Sequence, residues 1–180
     1  AGTGSVGSGS GTSVSFDITA PSTLTWNWIA RYYVTFAQSG VGTDFIGTAV
    51  TVDTIEYARG ALPVSFWWDE NSEHTFSFAS PLVVDGGKRY VWTSTTGLSN
   101  LQSATLKITA SGSVTGNYKT QYQITVTASP IGAQGGTFKV TYTSCGTTYT
   151  DEEHTTEWTE WIDEETVATC LLYTSDAADE

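Results

Sequence analysis

The chain has 180 residues, with 7 basic and 19 acidic side chains, 13% aromatic residues and 18 glycines. Its net charge of −12 is uneven: eight acidic residues fall in 151–165 and three in 176–180, leaving 8 acids against 7 bases in residues 1–150. No cluster of Lys and Arg grips phosphates, which excludes electrostatic nucleic-acid binding, and no apolar run nears the roughly 18 residues that span a membrane.

Residues 1–12 are almost all Gly, Ser and Thr and read as a flexible loop or linker. Gly2-Thr3-Gly4-Ser5-Val6-Gly7 fits the dinucleotide fingerprint. That match carries meaning only between a strand and a helix, and neither is predicted here.

From residue 13 the chain repeats. Residues 103–142 restate 13–52 without a gap, with 12 identities in 40 positions. Tyr32-Tyr33-Val34-Thr35-Phe36 returns as Tyr122-Gln123-Ile124-Thr125-Val126, and Phe66-Trp67-Trp68-Asp69-Glu70 returns as Glu160-Trp161-Ile162-Asp163-Glu164 after a slip of a few residues. Such a period marks an array. Its phase divides the chain into a Gly/Ser-rich segment with the closing strands of a preceding repeat (1–29), a complete repeat (30–119) and a truncated second repeat (120–169).

Within the repeat, alternation of period two dominates. Tyr32, Val34 and Phe36 share one face, and Arg31, Tyr33 and Thr35 share the other. Further strands are predicted over 48–53, 64–68, 74–79, 89–94, 104–109 and 113–118. Asp85-Gly86-Gly87, between Leu82-Val83-Val84 and Arg89-Tyr90-Val91, is a hairpin signal. The fold class that follows is all-β: tandem antiparallel, sandwich-like, immunoglobulin-like repeats of about 90 residues. Tyr32, Val34, Phe36, Phe66, Trp68, Leu106 and Ile108 are the expected core.

Three stretches bear on chemistry. The acidic run supplies Asp151, Glu152, Glu153, Asp163 and Glu164 as a calcium candidate, since calcium takes six to eight oxygens. The run lacks a looped ligand spacing with a central Gly, and a solvated acidic hairpin explains it as well. His74 lies near Asp69, Glu70, Ser72 and Glu73, yet neighbours on a strand alternate faces. It reads as a surface histidine, and no catalytic residue is assigned. Adjacent Trp67 and Trp68 must face opposite sides of their strand. Trp67 recurs as Trp161 whereas Trp68 becomes Ile162. Trp68 is therefore the core residue, and Trp67 the outward one and the ligand-binding candidate.

Val50-Thr51-Val52-Asp53, Tyr57, Pro63 through Thr75, Arg89-Tyr90-Val91-Trp92 and Gly116-Asn117-Tyr118-Lys119-Thr120-Gln121-Tyr122 resemble a known pattern. It is that of tandem β-repeats in large secreted and cell-surface proteins of archaea and bacteria, loosely related to divergent internalin-type B-repeats. The resemblance covers about 30–169. It implies an extracellular or cell-surface structural or adhesive segment, not an enzyme, that needs no cofactor and partners neighbouring repeats. Two other readings stand beside it: a carbohydrate-binding accessory module of a secreted enzyme that contacts glycans, and a subunit of an extracellular filament joined by strand exchange with identical subunits.

The chain ends in Cys170-Leu171-Leu172-Tyr173-Thr174-Ser175-Asp176-Ala177-Ala178-Asp179-Glu180, which resembles a translated sequencing adapter. Residues 170–180 are therefore expected to be a non-native tail, dispensable for folding. Cys145 is then the one cysteine of the repeat proper, and no disulfide is assigned. Residues 13–29, as closing strands, are expected to pair with 120–169.

Overall fold

The computed structural model describes residues 2–4, 9–127, 137–155 and 157–173. The chain divides into two compact units, Ala1–Arg31 and Tyr32–Glu180. In the first, β1 (Gly2–Thr3) pairs antiparallel with β2 (Thr23–Leu24). Leu24, Trp26, Trp28 and Ile29 are exposed there. Of residues 13–29, where closing strands are expected, Thr23–Leu24 alone form a strand.

The second unit opens with β3 (Arg31–Ser39), β4 (Thr48–Val52), β5 (Ile55–Ala58) and β6 (Val64–Asp69). Then come β7 (Glu73–Phe78), β8 (Leu82–Asp85), β9 (Lys88–Gly97), β10 (Ser103–Lys107) and β11 (Gly112–Val126). These form a sheet ordered β6-β3-β11-β9-β8 and a second ordered β10-β7-β4-β5. The predicted hairpin is there: Asp85 pairs with Lys88 across Gly86-Gly87.

Alternation places the apolar faces of both sheets against one core. Val34 and Phe36 from β3 and Val114 and Tyr118 from β11 meet Val50 and Val52 from β4 and Phe76 and Phe78 from β7. The Phe36 ring lies 5.7 Å from Phe76 across the gap. Ile108 is buried, whereas Tyr32, Phe66, Trp68 and Leu106 pack at its margin. Tyr118 spans the sandwich, its hydroxyl donating to Ala79 O at 2.9 Å and Ala49 O at 3.3 Å. Burial pushes that phenol's pKa well above its usual value.

One pairing departs from the antiparallel expectation. The first half of β11 runs parallel to β3, with Gly112 opposite Val34 and Asn117 opposite Ser39. Strands far apart in the chain are therefore parallel neighbours, which no hairpin can arrange.

Residues 137–173 show a similar strand arrangement in part. β12 (Thr137–Ser144) is flanked by β13 (Thr147–His154) and β15 (Thr169–Tyr173), as β4 is flanked by β5 and β7. β14 (Trp158–Asp163) pairs with the second half of β11. Phe138, Val140, Tyr142, Trp158 and Ile162 form a second, smaller core. The equivalence extends to single contacts. Thr35 and Ser65 share a hydroxyl hydrogen bond of 2.9 Å, and so do Thr125 and Thr159. Tyr32 donates to Glu70, and Tyr122 donates to Glu164.

β15 brings residues 169–173, the start of the expected tail included, into pairing with β12. Cys170 lies opposite Val140, as Phe78 lies opposite Val50, so this strand occupies the place of β7. Residues 174–180 lie outside the described residues, as do Ser5–Gly7 of the fingerprint. The expected boundary at 119/120 falls inside β11, a continuous strand. No helix among the described residues is long and apolar enough to cross a membrane.

Candidate functional site

Period-two geometry settles the two tryptophans of β6. Trp68 packs against the core, its ring 5.9 Å from Phe36. Trp67 is 61% exposed, and its ring lies 5.1 Å from that of Tyr33, an exposed residue of the neighbouring strand β3. The two rings are inclined at 51°, and together they offer a tilted aromatic surface. Such a surface suits the apolar face of a sugar or a flat side chain. In the second copy Tyr33 becomes Gln123. There the guanidinium of Arg89 covers the equivalent Trp161 at 4.3 Å. That cation–π contact comes from the first copy, so Trp161 is used in joining the two copies.

His74 differs from the plain surface residue expected. Its imidazole stacks on Trp68 at 3.7 Å and its side chain is only 18% exposed. Nδ1 meets Asp53 Oδ2 at 2.5 Å, and Nε2 meets Ser72 Oγ at 3.0 Å. The order Ser–His–Asp is that of a hydrolytic triad, and Asp53 could not be read from sequence neighbours. The surroundings give it a different role. Ser72 Oγ donates its proton to Asp69 O at 2.7 Å. The N–H groups of Asn71, Ser72 and Ile108 donate to Ile108 O, Asp69 O and Ser72 O. Acyl transfer requires donors aimed at a developing oxyanion, and these are already committed to the fold. Asp53 also accepts from Thr75 N through Oδ1 at 2.9 Å. The cluster is a clasp tying the β4–β5 turn to β7.

The five acidic calcium candidates are not brought together. Asp151, Glu152 and Glu153 lie exposed on β13. Glu164 accepts the Tyr122 hydroxyl at 3.2 Å. Asp163 is buried: Oδ1 accepts from Gln121 Nε2 at 2.7 Å and Cys145 N at 2.9 Å. Its Oδ2 accepts from Gly146 N at 2.8 Å and Lys119 Nζ at 3.4 Å. Burial works to raise this carboxyl, but those four hydrogen bonds outweigh it and hold its pKa below the ordinary value. Among the described residues no group of three His, Cys, Asp or Glu side chains is placed to hold a metal ion.

The Asp163 cluster explains Cys145-Gly146. Both residues have positive φ, 50° and 78°, as Asp53 and Thr54 do in the first copy at 47° and 71°. Each pair is the two-residue turn of equivalent hairpins, a geometry that needs positive φ at both central positions. Cys145 is there as a turn residue with an exposed free thiol.

In the first unit Val14, Leu24 and Trp26 line a shallow hollow of about 60 Å³.

No protein-family model matches the chain, and no curated protein or solved structure matches it either.

Proposed function

We propose that the chain is a segment of a tandem array of immunoglobulin-like β-repeats, acting as a stalk, spacer or adhesive surface of an extracellular or cell-surface protein. The observation that carries this reading is β11. Its first half closes one sandwich beside β3 and its second half opens the next beside β14. The copies are joined by a continuous strand, and cross-contacts from Arg89 to Trp161 and from Gln123 N to Gly87 O stiffen the junction. In such an array each unit touches only its neighbours, so reach grows by adding units.

The parallel β3–β11 pair supports a role under tension. A pull along the chain enters the sandwich at the start of β3 and leaves at the end of β11. Parallel strands then slide against each other, and their register pairs from Gly112–Val34 to Asn117–Ser39 carry load together. Forced unfolding is governed by the unfolding rate, which this arrangement lowers. The test is single-molecule pulling between residues 32 and 126, compared with pulling between residues 48 and 58, which peels β5 from β4. A higher rupture force for the first geometry supports the reading; an equal or lower one refutes it.

The adhesive side of the proposal rests on Trp67 and Tyr33. Binding to a glycan array that disappears in Trp67→Ala, with the fold intact, would assign these rings to a ligand.

A further inference from the structure

We propose that the chain associates with a second copy of itself, head to tail. Residues 22–28 of one molecule lie parallel to residues 124–126 of β11 in the next. The inference rests on the repeat reading above and adds the partner, the edge and the register.

The fold already contains the contact once. In the complete repeat, β3 receives residues 112–117 along one edge, in parallel, with Gly112 opposite Val34 and Val114 opposite Phe36. The 90-residue period maps Val34 and Phe36 onto Ile124 and Val126, and maps 112–118 onto 22–28. Among the described residues no strand occupies the equivalent edge at 124–126: β11 pairs there with β14 alone, and its pairing with β9 ends at Tyr122.

Burial differs between the satisfied and the unsatisfied copy of each partner. Val34 is 0% exposed, but its counterpart Ile124 is 39% exposed. Val114 and Tyr118 are buried, but their counterparts Leu24 and Trp28 are 38% and 86% exposed. Exposed apolar side chains on 22–28 and an opening strand with an edge that no described strand pairs are complementary, and edge addition satisfies both.

Side-chain volumes favour the second module over the first as the recipient. A Cβ at Gly116 would lie 2.6 Å from the Phe78 ring, so the closing strand of the first sandwich needs a residue without one. Trp26 stands at that position in 22–28, and Cys170 stands where Phe78 does. A side chain at the Gly116 position meets Phe78 in the first sandwich, and the second carries the smaller Cys170 in that place. The register carried across is Ser22 opposite Ile124, Thr23 opposite Thr125 and Leu24 opposite Val126. Because donor and acceptor patches differ, the contact is heterologous and propagates.

The test uses the full chain with Cys145→Ser and Cys170→Ser, carrying Thr23→Cys and Thr125→Cys. Neighbouring strands bring Cα atoms within disulfide reach. Oxidation should give a ladder of covalent dimers and higher species whose yield rises with concentration. Displacing the second cysteine from Thr125 to Gln123 should weaken the ladder. In parallel, sedimentation of the natural chain should show mass rising with concentration. Trp28→Asp, at a position 86% exposed, should weaken that association about tenfold or more while leaving the melting temperature unchanged. A disulfide formed only within single molecules overturns the second copy as occupant. Monomers at all concentrations with no cross-link overturn the docking itself. Neither outcome touches the repeat reading, which stands or falls on the pulling measurement.

Discussion

Asp163→Asn isolates the polar cluster that seats the second copy on β11. The carboxylate is 4% exposed and accepts four hydrogen bonds, two on each oxygen. An amide keeps one oxygen and turns an NH2 toward the donors of the other. Either Gln121 and Cys145 N, or Gly146 N and Lys119, then face a donor. Each hydrogen bond to a charged group contributes about 1.5–3 kcal/mol, so losing two costs about 3–6 kcal/mol. Amide exchange over 137–163 reads this as a fall in the local opening free energy, while 48–78 stays protected. The dependence on pH adds a second check. The folded carboxyl binds its proton less readily than the unfolded one, whose value is about 3.9. Its stabilisation is complete above that value and is lost as pH falls below it through the lower folded value. The gap between natural chain and variant should therefore close in acid. A loss under about 1 kcal/mol, or a gap unchanged at pH 2, would refute this account of the cluster.

Three more perturbations test the packing. Phe36→Ala removes a ring in contact with Phe66, Trp68 and Phe76 and should cost about 3–5 kcal/mol in chemical denaturation. Tyr118→Phe should cost about 1–2 kcal/mol, since Ala49 O and Ala79 O lose their shared donor. The raised Tyr118 pKa also means that its contribution persists below the unfolded value of about 10 and is lost as pH rises beyond it, a loss the Phe variant should not show. Deleting 170–180 should strip amide protection from 137–141, the residues paired with β15, and unchanged exchange there would show that this strand contributes nothing.

Local pattern carried much of this fold into the sequence. Tyr32, Val34 and Phe36 alternate, Asp85-Gly86-Gly87 turns, and the period links Trp67 to Trp161. Each of these signals lies within a few residues or one repeat. The parallel β3–β11 pair has no such mark, because its strands are separated by the whole repeat and are brought together only by the packed core. Asp53 was missed for the same reason: it reaches His74 through the β4–β7 register, 21 residues away. β5 was hidden because Asp53-Thr54 makes a positive-φ turn without glycine. The slip in the second copy arises along the β12–β13 hairpin, where β13 runs eight residues against four in β5. Asp163 looked like one acid in a run of eight, and only the turn at Cys145-Gly146 and the position of Gln121 distinguish it.

Sharing β11 between copies has a consequence for how such a segment evolves. Where units are joined by a flexible linker, each closes its own sandwich and its neighbours are free to diverge. Here residues 112–117 must match β3 and β9 while 121–126 must match β14, on one strand with one pleat. An insertion within β11 would turn every following side chain to the other face of the sheet. Length changes are therefore confined to the connections and hairpins, which is where the offset between the copies grows from 90 to 94 residues. The cross-strand contacts on either side of that growth, Thr35 with Ser65 and Thr125 with Thr159, are unaffected by it. In the proposed array a continuous strand would fix the rise from one unit to the next, leaving the loops and the exposed faces of Trp67 and Tyr33 as the surfaces on which individual units can differ.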